Sequence, residues 1–122
     1  MKTELSRSFR IEAAHRLPNV PDDHKCARLH GHSFEVTLHV DGEVDPELGW
    51  VIDYADIDVA FQPLFKQLDH NFLNEVPGLE NPTSELLARW ILERLKLPRG
   101  RVAAVSVAET CMARCTVHAD PA

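Results

Sequence analysis

The segment from His30 to Val40 constrains this chain more than any other. His32, Phe34, Val36, Leu38 and Val40 fall in one phase, and Ser33, Glu35, Thr37 and His39 in the other. That is the period-two alternation of a strand with one apolar face. Two histidines open it, in His30-Gly31-His32, and Cys26 lies four residues before the first. In extended chain, residues two apart project to the same side, so both imidazoles converge as a first-row metal requires. Gly31 between them would let a ligand or a second backbone approach closely. A His-x-His pair also matches by accident in strands that bind nothing, so its weight comes from its surroundings.

A strand of this kind needs a partner. Leu5 to His15 supplies one: Phe9, Ile11, Ala13 and His15 share a phase, and Arg10, Glu12 and Ala14 share the other. Antiparallel pairing of the two would bring His15 beside His30 and His32, although register is fixed only in the fold. The connection from Leu17 to Leu29 holds Pro18, Pro21, Asp22 and Asp23 and reads as a loop. Loops of that length in compact domains are often functional, and this one carries Lys25, Cys26 and Arg28.

Downstream, Asp41-Gly42 reads as the turn ending the second strand, and Trp50-Val51-Ile52 as a short edge strand. Asp53 is a helix N-cap, with Asp56 placed to complement the helix dipole. Ile57, Ala60, Phe61, Leu64, Phe65 and Leu68 recur at helical spacing. Pro63 inside that pattern predicts a kink or a break, and the helix should end near Asp69-His70-Asn71. Asn81 reads as the cap of a second helix with Pro82 at its first position. Leu86, Leu87, Trp90, Ile91 and Leu95 form its apolar stripe, and Pro98 and Gly100 stop it. Val102 to Glu109 and Ala113 to His118 complete the pattern as strands. The order β-β-α-α-β-β predicts an α+β fold, an antiparallel four-stranded sheet with two helices on one face. Such a sheet has free edges, and a closed oligomer is one way to remove them.

Length and composition narrow the function classes. The 122 residues fit one domain, spanning 1–122. No apolar run is long enough for a bilayer and no signal peptide is visible, so a cytoplasmic protein without membrane association is expected. Three cysteines make no complete disulfide set. A net charge of −6 argues against nucleic-acid binding. Seven histidines are a compositional hint of metal or acid–base chemistry.

His15, His30 and His32 supply the three protein ligands of a catalytic zinc with one open position, and nitrogen ligands suit zinc better than calcium or magnesium. Cys26 lies close to them in sequence, as a base, a nucleophile or a spare loop thiol. Asp69-His70 could form a polarised imidazole. Adjacent helical residues do not face each other, so a histidine favoured by a helix C-terminus is the simpler reading of that pair alone. Glu109 ends a strand, either solvated or accepting two hydrogen bonds from an amidine-like edge. Cys111 and Cys115 read as small buried apolar residues.

Taken together these pieces resemble the 6-pyruvoyl-tetrahydropterin synthase family, over nearly the whole chain from Phe9 to Cys115. The matching stretches are Glu12-Ala13-Ala14-His15-Arg16-Leu17, Cys26-x-x-x-His30-Gly31-His32, Gly49-Trp50-Val51-Ile52-Asp53, Leu68-Asp69-His70, Asn81-Pro82-Thr83-Ser84-Glu85 and Glu109-Thr110-Cys111. The three residues between Cys26 and His30 look like the 6-carboxy-5,6,7,8-tetrahydropterin synthase branch. The resemblance implies a tunnelling fold, trimers stacked into a homohexamer, and active sites between subunits. It implies that His15, His30 and His32 hold Zn2+ and that Cys26, Asp69 and His70 are catalytic. Glu109 would anchor a pterin substrate, with Thr83 and Ser84 close to it.

The implied reaction turns 7,8-dihydroneopterin triphosphate into 6-carboxy-tetrahydropterin, acetaldehyde and triphosphate, on the route to queuosine. Lys25, Arg28 and Arg16 are candidates for the triphosphate. Two rivals stand beside this reading. One is 6-pyruvoyl-tetrahydropterin synthase activity, which eliminates triphosphate without cleaving the chain. The other is a non-catalytic zinc-stabilised or pterin-binding module.

Overall fold

A computed structural model describes residues 1–110 and 112–121, with the side chain of Thr110 outside the description. Cys111 lies outside the described residues. The order is β1 (Lys2–His15), β2 (His30–Glu43), α1 (Tyr54–Leu68), α2 (Ser84–Arg94), β3 (Arg101–Thr110) and β4 (Ala113–His118), with short 3-10 turns at Lys25–Ala27 and Leu73–Glu75. The four strands form one antiparallel sheet in the order β1-β2-β3-β4. This is the α+β fold that the alternation and helical periodicities predict.

The apolar phases of the strands meet the helices in one core. Ile11 and Ala13 of β1, Phe34, Val36, Leu38 and Val40 of β2, and Val105 and Val107 of β3 are buried with Ile57, Phe61, Leu64 and Leu68 of α1 and Leu87, Ala88, Trp90 and Ile91 of α2. Removing such side chains from water is the main favourable term in folding. The opposite face of the sheet is polar. It carries Ser8 Oγ 2.9 Å from Thr37 Oγ1, and Ser106 Oγ 2.7 Å from both His39 Nε2 and Thr116 Oγ1. Cys115 of β4 is half-buried and packs against the core, and burial pushes its thiol up.

Three local expectations are corrected, and at Pro63 one of two alternatives is excluded. Gly42 is not a turn: β2 continues to Glu43, and Gly42 pairs with Thr3. A Cβ there would stand 2.7 Å from Val51 Cγ1, so the glycine lets Val51 pack against the strand. Trp50-Val51-Ile52 forms no strand; Val51 and Ile52 are buried in the core, and burial rather than ladder pairing fixes them. Of the kink or break expected at Pro63, the break does not occur: α1 runs through it. The proline is exposed, as is Val59, whose carbonyl it leaves without an i→i−4 donor, so water can satisfy that group.

Asn81 does not cap α2. Thr83 does, accepting from Leu86 N at 3.1 Å, and the helix ends at Arg94 with Leu95 as C-cap. Three-residue spacing from hydroxyl to amide is the N-cap geometry, and Thr83 offers it to the stripe that begins at Leu87. Asp53 caps α1 as expected, accepting from Ala55 N at 2.9 Å.

Candidate active site

The register puts His15 opposite His30 and Ala13 opposite His32. Because His15, His30 and His32 all lie in the core-facing phase at the same end of β1 and β2, their rings gather. Centroids are 4.6 Å apart for His15–His30, 5.1 Å for His15–His32 and 4.7 Å for His30–His32. One ring nitrogen from each lies within 4.8 Å of the other two.

The tautomers of two rings follow from their partners. His15 Nδ1 lies 2.9 Å from the carbonyl oxygen of Pro82, and His30 Nδ1 lies 2.7 Å from that of Arg28. A carbonyl can only accept, so each Nδ1 carries the proton and each Nε2 keeps its lone pair. His15 is 1% exposed, and its Nε2 is buried without a hydrogen-bond partner. Such a group is costly in a folded protein, and a cation shared with His30 and His32 would satisfy it. Burial, ahead of its histidine neighbours, holds the His15 pKa below the usual imidazole range despite the Pro82 contact, which keeps the ring neutral as a ligand must be. The residues present therefore fit a metal ion held by three imidazoles.

Glu109, near the end of β3, adjoins this cluster. Its Oε2 is 3.9 Å from His32 Nε2, and its Oε1 accepts from Ser84 Oγ at 2.8 Å. Glu109 also borders two cavities. One, of about 470 Å³, is lined by Arg10, Ser33, Phe34, Glu35, Ala108 and Arg114 besides Glu109. The other, of about 290 Å³, includes Ser84, Glu85 and Cys115. A carboxylate fixed by one oxygen beside a cavity can take a ligand's paired N–H groups. Thr83 stands one residue away, with its hydroxyl engaged as the α2 cap.

Asp69 and His70 do interact, although adjacent helical residues would not. The helix ends at Leu68, Asp69 is its C-cap, and His70 adopts φ 57°, a left-handed conformation uncommon outside glycine. That turn brings His70 Nδ1 to 2.7 Å from Asp69 Oδ2, while Asp69 Oδ1 accepts from Glu12 N at 2.9 Å. The Asp69 hydrogen bond raises the His70 pKa. Burial alone would raise the Asp69 carboxyl, but the Glu12 N–H and the His70 ring outweigh it and hold it below the usual carboxylate range. The side chain of His70 is 78% exposed.

Cys26 sits half-buried in the Lys25–Ala27 turn. Its N–H donates to His24 Nδ1 at 3.0 Å and its carbonyl accepts from Leu17 N at 2.7 Å. Thus the three histidines, Glu109 and Ser84 form one group. Among the described residues no hydrogen bond joins Cys26 or the Asp69–His70 pair to it. Two contributors escaped the sequence reading. The Pro82 carbonyl has no side-chain signature, and Asn74 grips the main chain of Arg16 from a segment with no apolar periodicity.

Comparison with known proteins gives this arrangement its family. Residues 4–120 match the family described as 6-pyruvoyl tetrahydropterin synthase. A Synechocystis protein named 6-carboxy-5,6,7,8-tetrahydropterin synthase is 41% identical over 115 residues, covering 88% of this chain and 86% of its own. A Pyrococcus furiosus protein named dihydroneopterin monophosphate aldolase is 32% identical over 96 residues, covering 79% of this chain and 77% of its own. The solved structure of Caenorhabditis elegans 6-pyruvoyl tetrahydropterin synthase superposes with a TM-score of 0.89 at 26% identity, over 98% of this chain and 97% of that one. The chain belongs to the 6-pyruvoyl tetrahydropterin synthase family.

Proposed function

We propose that this chain is a zinc-dependent carbon–carbon lyase. It would convert 7,8-dihydroneopterin triphosphate to 6-carboxy-5,6,7,8-tetrahydropterin, acetaldehyde and triphosphate, in queuosine biosynthesis. The observation that carries the reading is the buried, unpartnered Nε2 of His15 within a cluster of three imidazoles. The relative named for this activity and the three-residue spacing from Cys26 to His30 favour it over its rivals.

In this reading His15, His30 and His32 hold zinc. When bound, zinc supplies Lewis-acid polarisation of the substrate's side-chain hydroxyl oxygens. Glu109, steadied by Ser84, accepts the 2-amino and N3 hydrogens of the pterin ring and sets its orientation. Thr83 and Ser84 border the ring. Cys26 Sγ takes the proton from the side-chain carbon beside those hydroxyls, and His70 moves protons in the later steps while Asp69 holds its ring.

We further read residues 1–122 as one cytoplasmic domain that assembles as a homohexamer of two trimers with active sites between subunits. β1 and β4 are the outer strands of the sheet, and β4 and the part of β1 before Glu12 offer edges for pairing with other copies. The exposed His70, whose Nε2 has no hydrogen-bond partner among the described residues, could serve a site completed by a neighbour. No helix among the described residues is long and apolar enough to cross a membrane.

The test is product analysis by mass on purified protein with 7,8-dihydroneopterin triphosphate. Acetaldehyde with 6-carboxy-tetrahydropterin is the expected result. Triphosphate release without acetaldehyde would instead mean 6-pyruvoyl-tetrahydropterin synthase activity. Tight binding with unchanged substrate would mean a pterin-binding module, and turnover of dihydroneopterin monophosphate alone would mean an activity like that of the Pyrococcus relative.

A further inference from the structure

The outer edge of β1 is closed over its last residues by a segment that is not a strand. Glu12, Ala14 and Arg16 turn their main-chain groups away from β2, and each finds a partner between Asp69 and Asn74. Glu12 N donates to Asp69 Oδ1 at 2.9 Å, and Ala14 N donates to the Asn71 carbonyl at 3.1 Å. Arg16 is held at both ends: its N–H donates to Asn74 Oδ1 at 2.9 Å, and its carbonyl accepts from Asn74 Nδ2 at 2.8 Å. One carboxamide thus does what a paired strand would do.

Arg16 follows the buried ligand His15 and precedes Leu17, whose N–H is bonded to the Cys26 carbonyl at 2.7 Å. The Asn74 grip therefore lies where the metal-ligand strand passes into the cysteine loop. The same Nδ2 also approaches the Glu80 carbonyl at 3.3 Å, two residues before Pro82, whose carbonyl orients the His15 ring. Asn74 thereby ties the main chain behind His15 to the segment that aims its imidazole.

We propose that Asn74 is a positioning residue of the three-histidine centre, fixing both the backbone and the ring orientation of His15. This rests on the reading of that cluster as a metal site. Groups that orient metal ligands from outside the coordination shell affect affinity strongly, and a side-chain amide bonded to both main-chain groups of one residue restrains that residue in two directions at once.

The test compares zinc affinity, by competition with a chromophoric chelator, in the parent chain, Asn74→Ala, Asn74→Asp and Val102→Ala. Asn74→Asp keeps the acceptor for Arg16 N–H but sets an oxygen against the Arg16 and Glu80 carbonyls. It carries the test should Asn74→Ala not fold. Val102→Ala removes core volume at the far end of the sheet and controls for general destabilisation. Both Asn74 variants should lose about tenfold or more in zinc affinity and alter the visible spectrum of the cobalt-substituted protein. The control should keep affinity and spectrum even where its Tm falls. Variants of Asn74 that bind zinc as tightly as the parent, with an unchanged cobalt spectrum, overturn the proposal alone. A parent chain that binds no zinc overturns the metal-site reading and the proposal together.

Discussion

Ser84 Oγ donates to Glu109 Oε1 across 2.8 Å, joining the first turn of α2 to the end of β3. The bond spans 25 residues of sequence and leaves the second carboxylate oxygen 3.9 Å from His32 Nε2. The orientation of Glu109 is thus set by a different element from the one that carries it.

If Glu109 anchors the pterin, Glu109→Gln should raise KM by roughly ten- to a hundredfold, since hydrogen bonds to a charged group contribute about 1.5–3 kcal/mol. The fold should persist, because the side chain lies outside the core. Ser84→Ala should raise KM less, as it frees the carboxylate without removing it. Steady-state kinetics with a circular dichroism control check both.

Cys26→Ala should abolish turnover while zinc content stays at the parent level, because the three ligands lie on β1 and β2 and not on the Cys26 turn. Metal analysis beside a product assay separates the roles. A variant that turns over normally would remove Cys26 from the mechanism.

Chelation should remove activity and lower Tm, since a ligand bound to the folded state stabilises it by mass action. The far-UV spectrum should nevertheless stay that of a folded α+β protein. The core is built from strand and helix side chains that do not depend on the ion. Unfolding on chelation would mark a structural metal instead. Added zinc should restore the activity.

The Asp69–His70 pair gives a pH signature. The His70 pKa is raised above its ordinary 6.5, first by its hydrogen bond to Asp69. Its contribution to stability is therefore fully present below pH 6.5 and lost as pH rises through the raised value. Asp69 is held below its ordinary 3.8, so its contribution is present above that value and lost as pH falls through the lowered one. The charged pair spans the interval between. Asp69→Asn should return the His70 titration toward 6.5, read from its imidazole resonances by NMR.

Pro63→Ala should raise stability by about 1–2 kcal/mol. It restores a donor to the Val59 carbonyl within α1, and the gain exceeds the entropy that proline removes from the unfolded chain. Thermal or denaturant unfolding measures it.

The four strands of the sheet, the apolar stripes of both helices and the identity of the clustered imidazoles are legible in the amino-acid order alone. Each of these is written in a local period: two for Phe34-Val36-Leu38, close to four for Ile57-Phe61-Leu64-Leu68, two again for His30 and His32. What those groups face depends on how distant segments come together in the fold. The pairing of His15 with His30, the Pro82 carbonyl on the His15 ring and the Asn74 grip on Arg16 join residues far apart in the chain. Two of these use main-chain atoms that every residue offers alike, so no side-chain type announces them. Asp69 and His70 are neighbours whose side-chain types do suggest a pair, but they meet only because the chain after Leu68 turns left-handed to reach the Glu12 edge of β1. Local preference specifies which face of an element is apolar; the pairing of distant segments decides which polar atoms are left to bind an ion or a substrate.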